Sequence, residues 1–202
     1  MKSSELLARY LSRGAVVFCT ALAMGWLSIT YGAAAVEAQQ PGAQALPPSR
    51  VDIDGEALQI SVPPTWRKVA NGQTVMFAPE NGLGKVAGNA HVSNGIELGV
   101  TPTTRRDPNG VFEDLVEAFR STNPKLRSAS ITRLVKLAGR LGLRGTFGNT
   151  SPVTGRAEFV IIAAAAIERD RALYVIGVAP DDQFGAFRPT FEAALLSLET
   201  AR

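Results

Sequence analysis

The chain has 202 residues, of which 46% are hydrophobic and 19% are charged, and its formal net charge is +3. This length and composition suit one buried core, and they exclude both a disordered acidic chain and a multi-span membrane protein. With one cysteine and one histidine, the chain offers neither an internal disulfide nor a His/Cys zinc site. The motifs HExxH, CxxC and GxSxG do not occur. We therefore expect no catalytic site, metal site or cofactor.

The first 38 residues have the pattern of an export signal. Lys2, Arg9 and Arg13 precede an uncharged run at 14–36, and small residues follow at the positions where a signal peptidase would cut. The same run is long enough to cross a bilayer, so an uncleaved membrane anchor is the alternative. Because the positive charges hold the N-terminus inside, both alternatives place the remainder outside the cytoplasm, periplasmic or secreted.

Residues 39–54, rich in Pro, Gln and Ala, are predicted to form a linker, and 55–202 to form one folded domain. The longest apolar runs in this domain, 159–167 and 172–179, predict a hairpin that is buried on both faces. Shorter runs bounded by turn residues predict five further strands, at 58–62, 74–78, 95–100, 131–137 and 141–147.

Two amphipathic helices are predicted to cover this sheet. Asp107 and Pro108 form a helix start, with an apolar stripe through Phe119 and a stop at Pro124. A second stripe runs from Phe184 to Leu198, capped by Asp181 or Asp182 and interrupted by Pro189. The predicted fold class is therefore α+β, an antiparallel β-sheet sandwiched between helices and preceded by the N-terminal signal or anchor helix.

A glycine- and asparagine-rich stretch at 80–94 is the least regular part of the domain. We take it as a candidate binding loop, with Lys85, Asn89 and His91 as its candidate residues. His91 could act as a general base on Ser93 in a hydrolase, although neighbours in sequence rarely supply that geometry. An exposed loop histidine is the simpler interpretation.

The stretch between Glu117 and Glu158 contains no acidic residue but eight basic ones. It could bind an acidic partner, an anionic lipid or an anionic polymer. Alternatively, its charges are spread over solvent-facing surfaces and balanced by Glu97, Glu158 or Glu168. Aromatic side chains are too few here for nucleic-acid binding. The candidate partner- or anion-binding residues are Lys125, Arg127, Arg133, Lys136, Arg140 and Arg144.

Five segments, taken in order, resemble the PsbP-like fold, and more narrowly the non-catalytic C-terminal domain of some bacterial HExxH zinc metalloproteases. They are ISVPPTW (60–66), VMFAP (75–79), GIELGV (95–100), NTSPVTGR (149–156) and LYVIGVAP (173–180). The resemblance spans roughly residues 55 to 199 and implies a binding or accessory module on an antiparallel sheet. The peptidase portion is absent from this sequence, so no protease activity is implied. Trp66 is expected to pack on the core.

Together these patterns predict an exported, non-enzymatic accessory domain that docks on an envelope protein or assembly. The partner is expected to be extracytoplasmic, with membrane contact only through residues 14–36 if that run stays uncleaved. Two alternatives remain open: a hydrolase of unrecognised arrangement that uses His91, and a binder of anionic lipid or polymer through the stretch from Arg120 to Arg144.

Overall fold

The computed structural model describes residues 47–71, 73–168 and 170–201. The predicted signal or anchor at 1–38 and most of the predicted linker lie outside the described residues. Within the described ranges, no helix has the length and apolar character needed to cross a bilayer.

Thirteen strands and two α-helices make up the described chain. In order they are β1 (Pro48–Ile53), β2 (Glu56–Ser61), β3 (Arg67–Asn71), β4 (Thr74–Ala78), β5 (Leu83–Val86), β6 (Asn89–Val92), β7 (Gly95–Pro102), α1 (Pro108–Thr122), β8 (Arg127–Ser128), β9 (Arg133–Leu137), β10 (Arg140–Thr150), β11 (Ala157–Ala166), β12 (Arg171–Pro180), α2 (Phe184–Leu196) and β13 (Glu199–Thr200).

An antiparallel eight-stranded sheet forms the centre of the domain. Its strand order is β3-β4-β7-β12-β11-β10-β8, and β9 also pairs with β10. The central pair, β11 and β12, is the hairpin predicted from the two longest apolar runs, with Ile162 opposite Ile176. Both strands are buried along almost their whole length, since one helix covers each face of the sheet.

Helix α1 follows its sequence signals closely. The side chain of Asp107 accepts a hydrogen bond from the backbone N–H of Gly110 at 2.8 Å, and Pro108 occupies the first turn. Val111, Phe112, Leu115 and Val116 are buried against one face of the sheet, where the apolar stripe placed them.

Helix α2 covers the opposite face and differs from expectation at its start. A short 3₁₀ turn, Asp181–Gln183, precedes the helix, but neither aspartate caps it. Asp182 instead pairs with Arg156 at 3.0 Å. The ring of Phe191 lies so close to Gly177 of β12 that a Cβ there would overlap it. Glycine at that position therefore sets how closely α2 approaches the sheet.

Besides the two-residue strands β8 and β13, which the sequence did not predict, three regions depart from the predicted secondary structure. β1 begins at Pro48, inside the stretch 39–54 assigned to a linker, and pairs with β2 and through it with β13 in a second small sheet. The predicted loop at 80–94 contains the β5–β6 hairpin. β3 is too polar to give a strand pattern, yet it pairs with β4. Trp66 directly precedes β3, and its ring stacks on Phe187 of the core, as expected.

Candidate functional site

The β9–β10 hairpin forms one margin of the main sheet. Arg133 lies opposite Arg144 and Leu137 opposite Arg140, and among the described strands β9 pairs only with β10. Ala138 and Gly139 form the turn, with φ values of 48° and 80°. Positive φ at both central residues is the signature of a two-residue type I′ hairpin, so the register of β9 is fixed by its turn.

This register determines which backbone groups of β9 remain unpaired. In a two-residue hairpin, the residues that flank the turn exchange both of their hydrogen bonds, and such pairs then alternate with non-hydrogen-bonded pairs along the strands. Leu137 flanks the turn, so Val135 and Arg133 also face β10 with their N–H and C=O groups. The corresponding groups of Leu134 and Lys136 point away from β10, at the outer margin of the sheet.

Exposed apolar side chains are concentrated at this margin. Among the described residues, the exposed large hydrophobic side chains are Ile131 (76% exposed), Leu134 (68%), Leu141 (55%) and Leu196 (84%). Ile131 precedes β9, Leu134 lies within it and Leu141 lies opposite Lys136 on β10. Leu196, at the end of α2, lines a shared concavity with Leu134. Grouping of this kind marks an interaction surface more often than single exposed leucines do.

Two adjoining concavities, of about 280 and 360 Å³, run between the β9 margin and α2. We call them together the β9–α2 groove. Arg144 and Glu192 line both of them. Ile131, Phe159 and Phe184 add apolar walls to the first concavity, and Leu134, Leu195 and Leu196 to the second.

The β9–α2 groove has an excess of positive charge. Its cationic side chains are Arg133, Lys136, Arg144 and Arg188, against the single carboxylate of Glu192. Arg188 Nε lies 3.0 Å and Arg144 Nη1 3.4 Å from Glu192 Oε1, and these guanidinium groups lower the pKa of that carboxyl. No described residue pairs with Arg133 or Lys136, so their charges are available to a ligand.

The other predicted cations lie apart from the groove. Arg140 approaches Glu56 at 3.8 Å, and this ion pair connects the β9–β10 hairpin to β2 of the small sheet. Arg127 Nη1 donates to the carbonyl oxygens of Pro124 and Leu126, and Lys125 lines a separate shallow hollow beside it. The six candidates therefore form no single patch: Arg133, Lys136 and Arg144 come together, and the remaining three do not. Where acidic partners are present, they are Glu56 and Glu192 rather than the expected Glu97, Glu158 and Glu168.

The candidate loop residues are also separated. Lys85 and Asn89 lie on the exposed β5–β6 hairpin. His91 lines a small cavity of about 70 Å³ under the end of α1, together with Glu97 and Glu158. Ser93 is buried, and the imidazole of His91 makes no hydrogen bond to any described residue, so the nucleophile–base contact of a hydrolase is not formed here.

One buried and one half-buried carboxylate distinguish this cavity from the groove. Glu158 is only 5% exposed, and its Oε1 accepts from Asn149 Nδ2 at 2.9 Å. Glu97 accepts from the hydroxyl of Tyr174 at 3.1 Å. Burial raises the pKa of both carboxyls, and the hydrogen bonds offset only part of that effect. The cavity therefore favours the protonated form of its own carboxyl groups, whereas the excess of cations in the groove favours an anionic ligand.

Sequence reasoning missed the α2 side of the groove. Arg188 and Glu192 lie outside the basic stretch between Glu117 and Glu158 from which the candidates were taken. Leu196 directly follows Leu195, a residue of the buried stripe. Successive residues of an α-helix are about 100° apart around its axis, so the burial of Leu195 already indicates that Leu196 faces away from the core.

Similarity to known proteins is confined to the fold. The chain matches no protein-family model and no curated protein by sequence. LpqN of Mycobacterium tuberculosis aligns with a TM-score of 0.52 and 12% identity over 77% of this chain and 91% of its own. The cyanobacterial PsbP protein of Synechocystis aligns with a TM-score of 0.50 and 10% identity over 79% and 96%. This chain has a PsbP-like fold. The expected PsbP-like architecture is thereby supported; the narrower resemblance to a metalloprotease domain stays a prediction.

Proposed function

We propose that this chain is an extracytoplasmic, non-enzymatic accessory domain that docks on an envelope protein through the β9–α2 groove and the adjoining margin of β9. The observation that supports the proposal is that the exposed Ile131, Leu134 and Leu196 line the β9–α2 groove together with Arg133 and Lys136, whose charges no described residue pairs. A surface of this composition supplies apolar contact area from the leucines and selectivity for an anionic partner from the cations.

The location outside the cytoplasm rests on the basic and apolar pattern of the first 38 residues. LpqN, which shares the fold, is involved in cell envelope biogenesis. That role is compatible with an envelope partner for this chain, and it is one reason to seek the partner there.

A protein partner fits the groove better than a flat anionic membrane does. A lipid surface needs only exposed cations, and two of the groove's four cations are already bound to Glu192. Polar lipid headgroups would not bury the apolar walls of the groove, whereas the side chains of a protein could fill the groove and bury them.

Site-specific photocrosslinking in the producing cell tests the proposal. A photoreactive amino acid at Leu134 of the full chain is expected to yield a discrete protein adduct. The same label at Arg67, exposed on β3 at the opposite margin of the sheet, is the matched control and is expected to yield none. Adding Arg133→Glu should reduce the Leu134 adduct several-fold, because it reverses a groove charge.

Three outcomes would contradict the proposal: equal adducts at both positions, no protein adduct at Leu134, or an adduct that Arg133→Glu leaves unchanged. Crosslinking to lipid alone would favour the anionic-surface alternative. For that alternative, binding to vesicles containing phosphatidylglycerol should fall steeply as salt is raised.

A further inference from the structure

We infer that the groove's occupant is an extended acidic segment of a partner protein, which adds to β9 as a further strand of the main sheet. This inference rests on the proposed function and specifies the chemistry of the partner. It uses the backbone of β9, which the docking proposal does not need.

The backbone of β9 is arranged to receive a strand. The register set by the Ala138–Gly139 turn leaves the N–H and C=O groups of Leu134 and Lys136 directed away from β10. Such unpaired groups on a sheet margin are a template for strand addition, in which main-chain hydrogen bonds supply affinity and side-chain pockets supply selectivity.

The side chains along β9 specify the composition of that segment. Arg133 and Lys136 are exposed and have no acidic partner among the described residues, so they favour carboxylates on the added strand. Leu134 and Leu196 line the groove between them and favour apolar side chains there. An extended segment places its side chains alternately on its two faces. On β9 itself Arg133 and Lys136 lie three residues apart and therefore on opposite faces, and Leu134 shares the face of Lys136. The matching segment therefore has acidic residues three positions apart with apolar residues between them.

Charge argues against a second copy of this chain as the occupant. Two β9 strands paired with each other would place four cations, Arg133 and Lys136 of each copy, on one two-stranded margin. Like charges on neighbouring strands are destabilising, and β9 itself contains no carboxylate to relieve them. An acidic segment makes the same backbone bonds without that repulsion.

A synthetic peptide provides the test. The probe is a labelled ten-residue peptide with a glutamate at every third position, valines between the glutamates and a proline at each end, and the control peptide carries lysine in place of glutamate. Binding to the full chain is measured by fluorescence anisotropy at low salt. We expect the glutamate peptide to bind and the lysine peptide to bind at least tenfold more weakly.

Two substitutions at one position separate the backbone from the side chain. Lys136→Ala removes the charge and keeps the N–H, while Lys136→Pro also removes the N–H. Because that N–H faces away from β10, proline is tolerated there without loss of a ladder hydrogen bond. We expect Lys136→Ala to weaken peptide binding a few-fold, and Lys136→Pro to weaken it at least tenfold further at an unchanged melting temperature.

Amide hydrogen exchange gives a second measurement if Lys136→Pro fails to fold. With the glutamate peptide bound, the amides of Leu134 and Lys136 should gain protection, while those of β3 should not. Strand addition is overturned if Lys136→Ala and Lys136→Pro bind equally, if those two amides stay unprotected, or if the peptide does not bind the wild type.

The crosslinking at Leu134 decides docking independently of these measurements. A protein adduct sensitive to Arg133→Glu, together with equal binding by the two Lys136 variants, would keep the docking surface and reject the added strand. A dimer seen by sedimentation and lost in Lys136→Pro would replace the acidic segment with a second copy.

Discussion

The two margins of the main sheet are built differently. At β3, Arg67 and Lys68 are exposed, and Lys68 Nζ donates to the carbonyl oxygen of Arg50 at 2.7 Å. No described residue of β3 is an exposed large hydrophobic. At β9, Arg133 and Lys136 flank Leu134 and Val135, and Leu134 is largely exposed. Sheet margins are normally protected against further pairing by charges, among other devices, and β3 carries two adjacent exposed cations, one of them bonded to the backbone of β1. The less complete protection of β9 is the reason why we propose it as the binding margin.

The sharpest way to test this difference is to truncate two leucines of the same strand. Leu137 is fully buried, whereas Leu134 is 68% exposed. Leu137→Ala is expected to lower the free energy of unfolding by about 2–5 kcal/mol, since it leaves a cavity in the core. Leu134→Ala should change it by less than about 0.5 kcal/mol, as surface substitutions usually do. Urea denaturation of the two variants measures both values.

The same pair should behave in the opposite way in binding. Leu134→Ala is expected to weaken the glutamate peptide, although it leaves the fold intact. A large stability loss in Leu134→Ala would mean that this side chain packs in the folded domain, and the β9 margin would then lose its status as a free surface.

The acidic side chains extend the comparison to pH. Burial raises the pKa of Glu97 and Glu158, so folding favours their protonated forms. Their contribution to stability is fully present below the ordinary value of 4.5 and is lost as pH rises through the raised pKa. In the groove, Glu192 has a lowered pKa, so its contribution is present above the ordinary value and is lost as pH falls through the lowered one.

Glu158→Gln should therefore flatten the decline of stability with rising pH, while Glu192→Gln should flatten its decline with falling pH. Chemical denaturation at several pH values between about 3 and 8 measures both slopes. Exposed Glu80→Gln is the control for a change of net charge. Identical slopes in wild type and Glu158→Gln would show that burial of this carboxyl does not affect its titration.

Much of this fold was predictable because local signals and tertiary packing agree. The apolar runs of β11 and β12 and the capped start of α1 at Asp107 needed no long-range information. β1 does have a local pattern, since the buried Val51 and Ile53 alternate with polar residues, but it adjoins the proline-rich stretch and was assigned to the linker. β3 was missed because its pairing partner β4 supplies the order that its own polar sequence does not indicate. A strand that depends on its neighbours gives a weak local pattern.

The candidate site was only half predictable for a related reason. A linear run of basic residues indicates charge but not position in space. Arg140 and Arg144 lie four residues apart on β10, yet Arg140 approaches Glu56 and Arg144 approaches Glu192 of α2. The groove combines β9 with a helix about fifty residues away along the chain, and only the sheet order and the packing of α2 bring them together.

A smaller effect is expected at the β3 margin. Lys68→Met removes the ammonium that bonds the carbonyl oxygen of Arg50 but keeps most of the apolar stem. Because the bond is exposed, the loss of unfolding free energy should be about 0.5 kcal/mol and no more than about 1 kcal/mol. Arg67→Met is the control, because the side chain of Arg67 bonds to no described residue. Denaturation of the two variants side by side measures the difference in unfolding free energy.

The smallest effect on stability is expected from Leu134→Lys. This variant also makes the β9 margin most similar to the β3 margin. This substitution gives β9 the charged surface of β3 and should change the unfolding free energy by less than about 0.5 kcal/mol, because Leu134 lies in solvent. The added charge attracts the glutamate peptide from a distance, yet the apolar contact in the groove is lost. If contact area dominates, affinity falls and its salt dependence rises; if charge alone drives binding, affinity increases at low salt. Measuring the dissociation constant at two salt concentrations separates these outcomes, and an increase in affinity at low salt would contradict the contribution assigned to the exposed leucine.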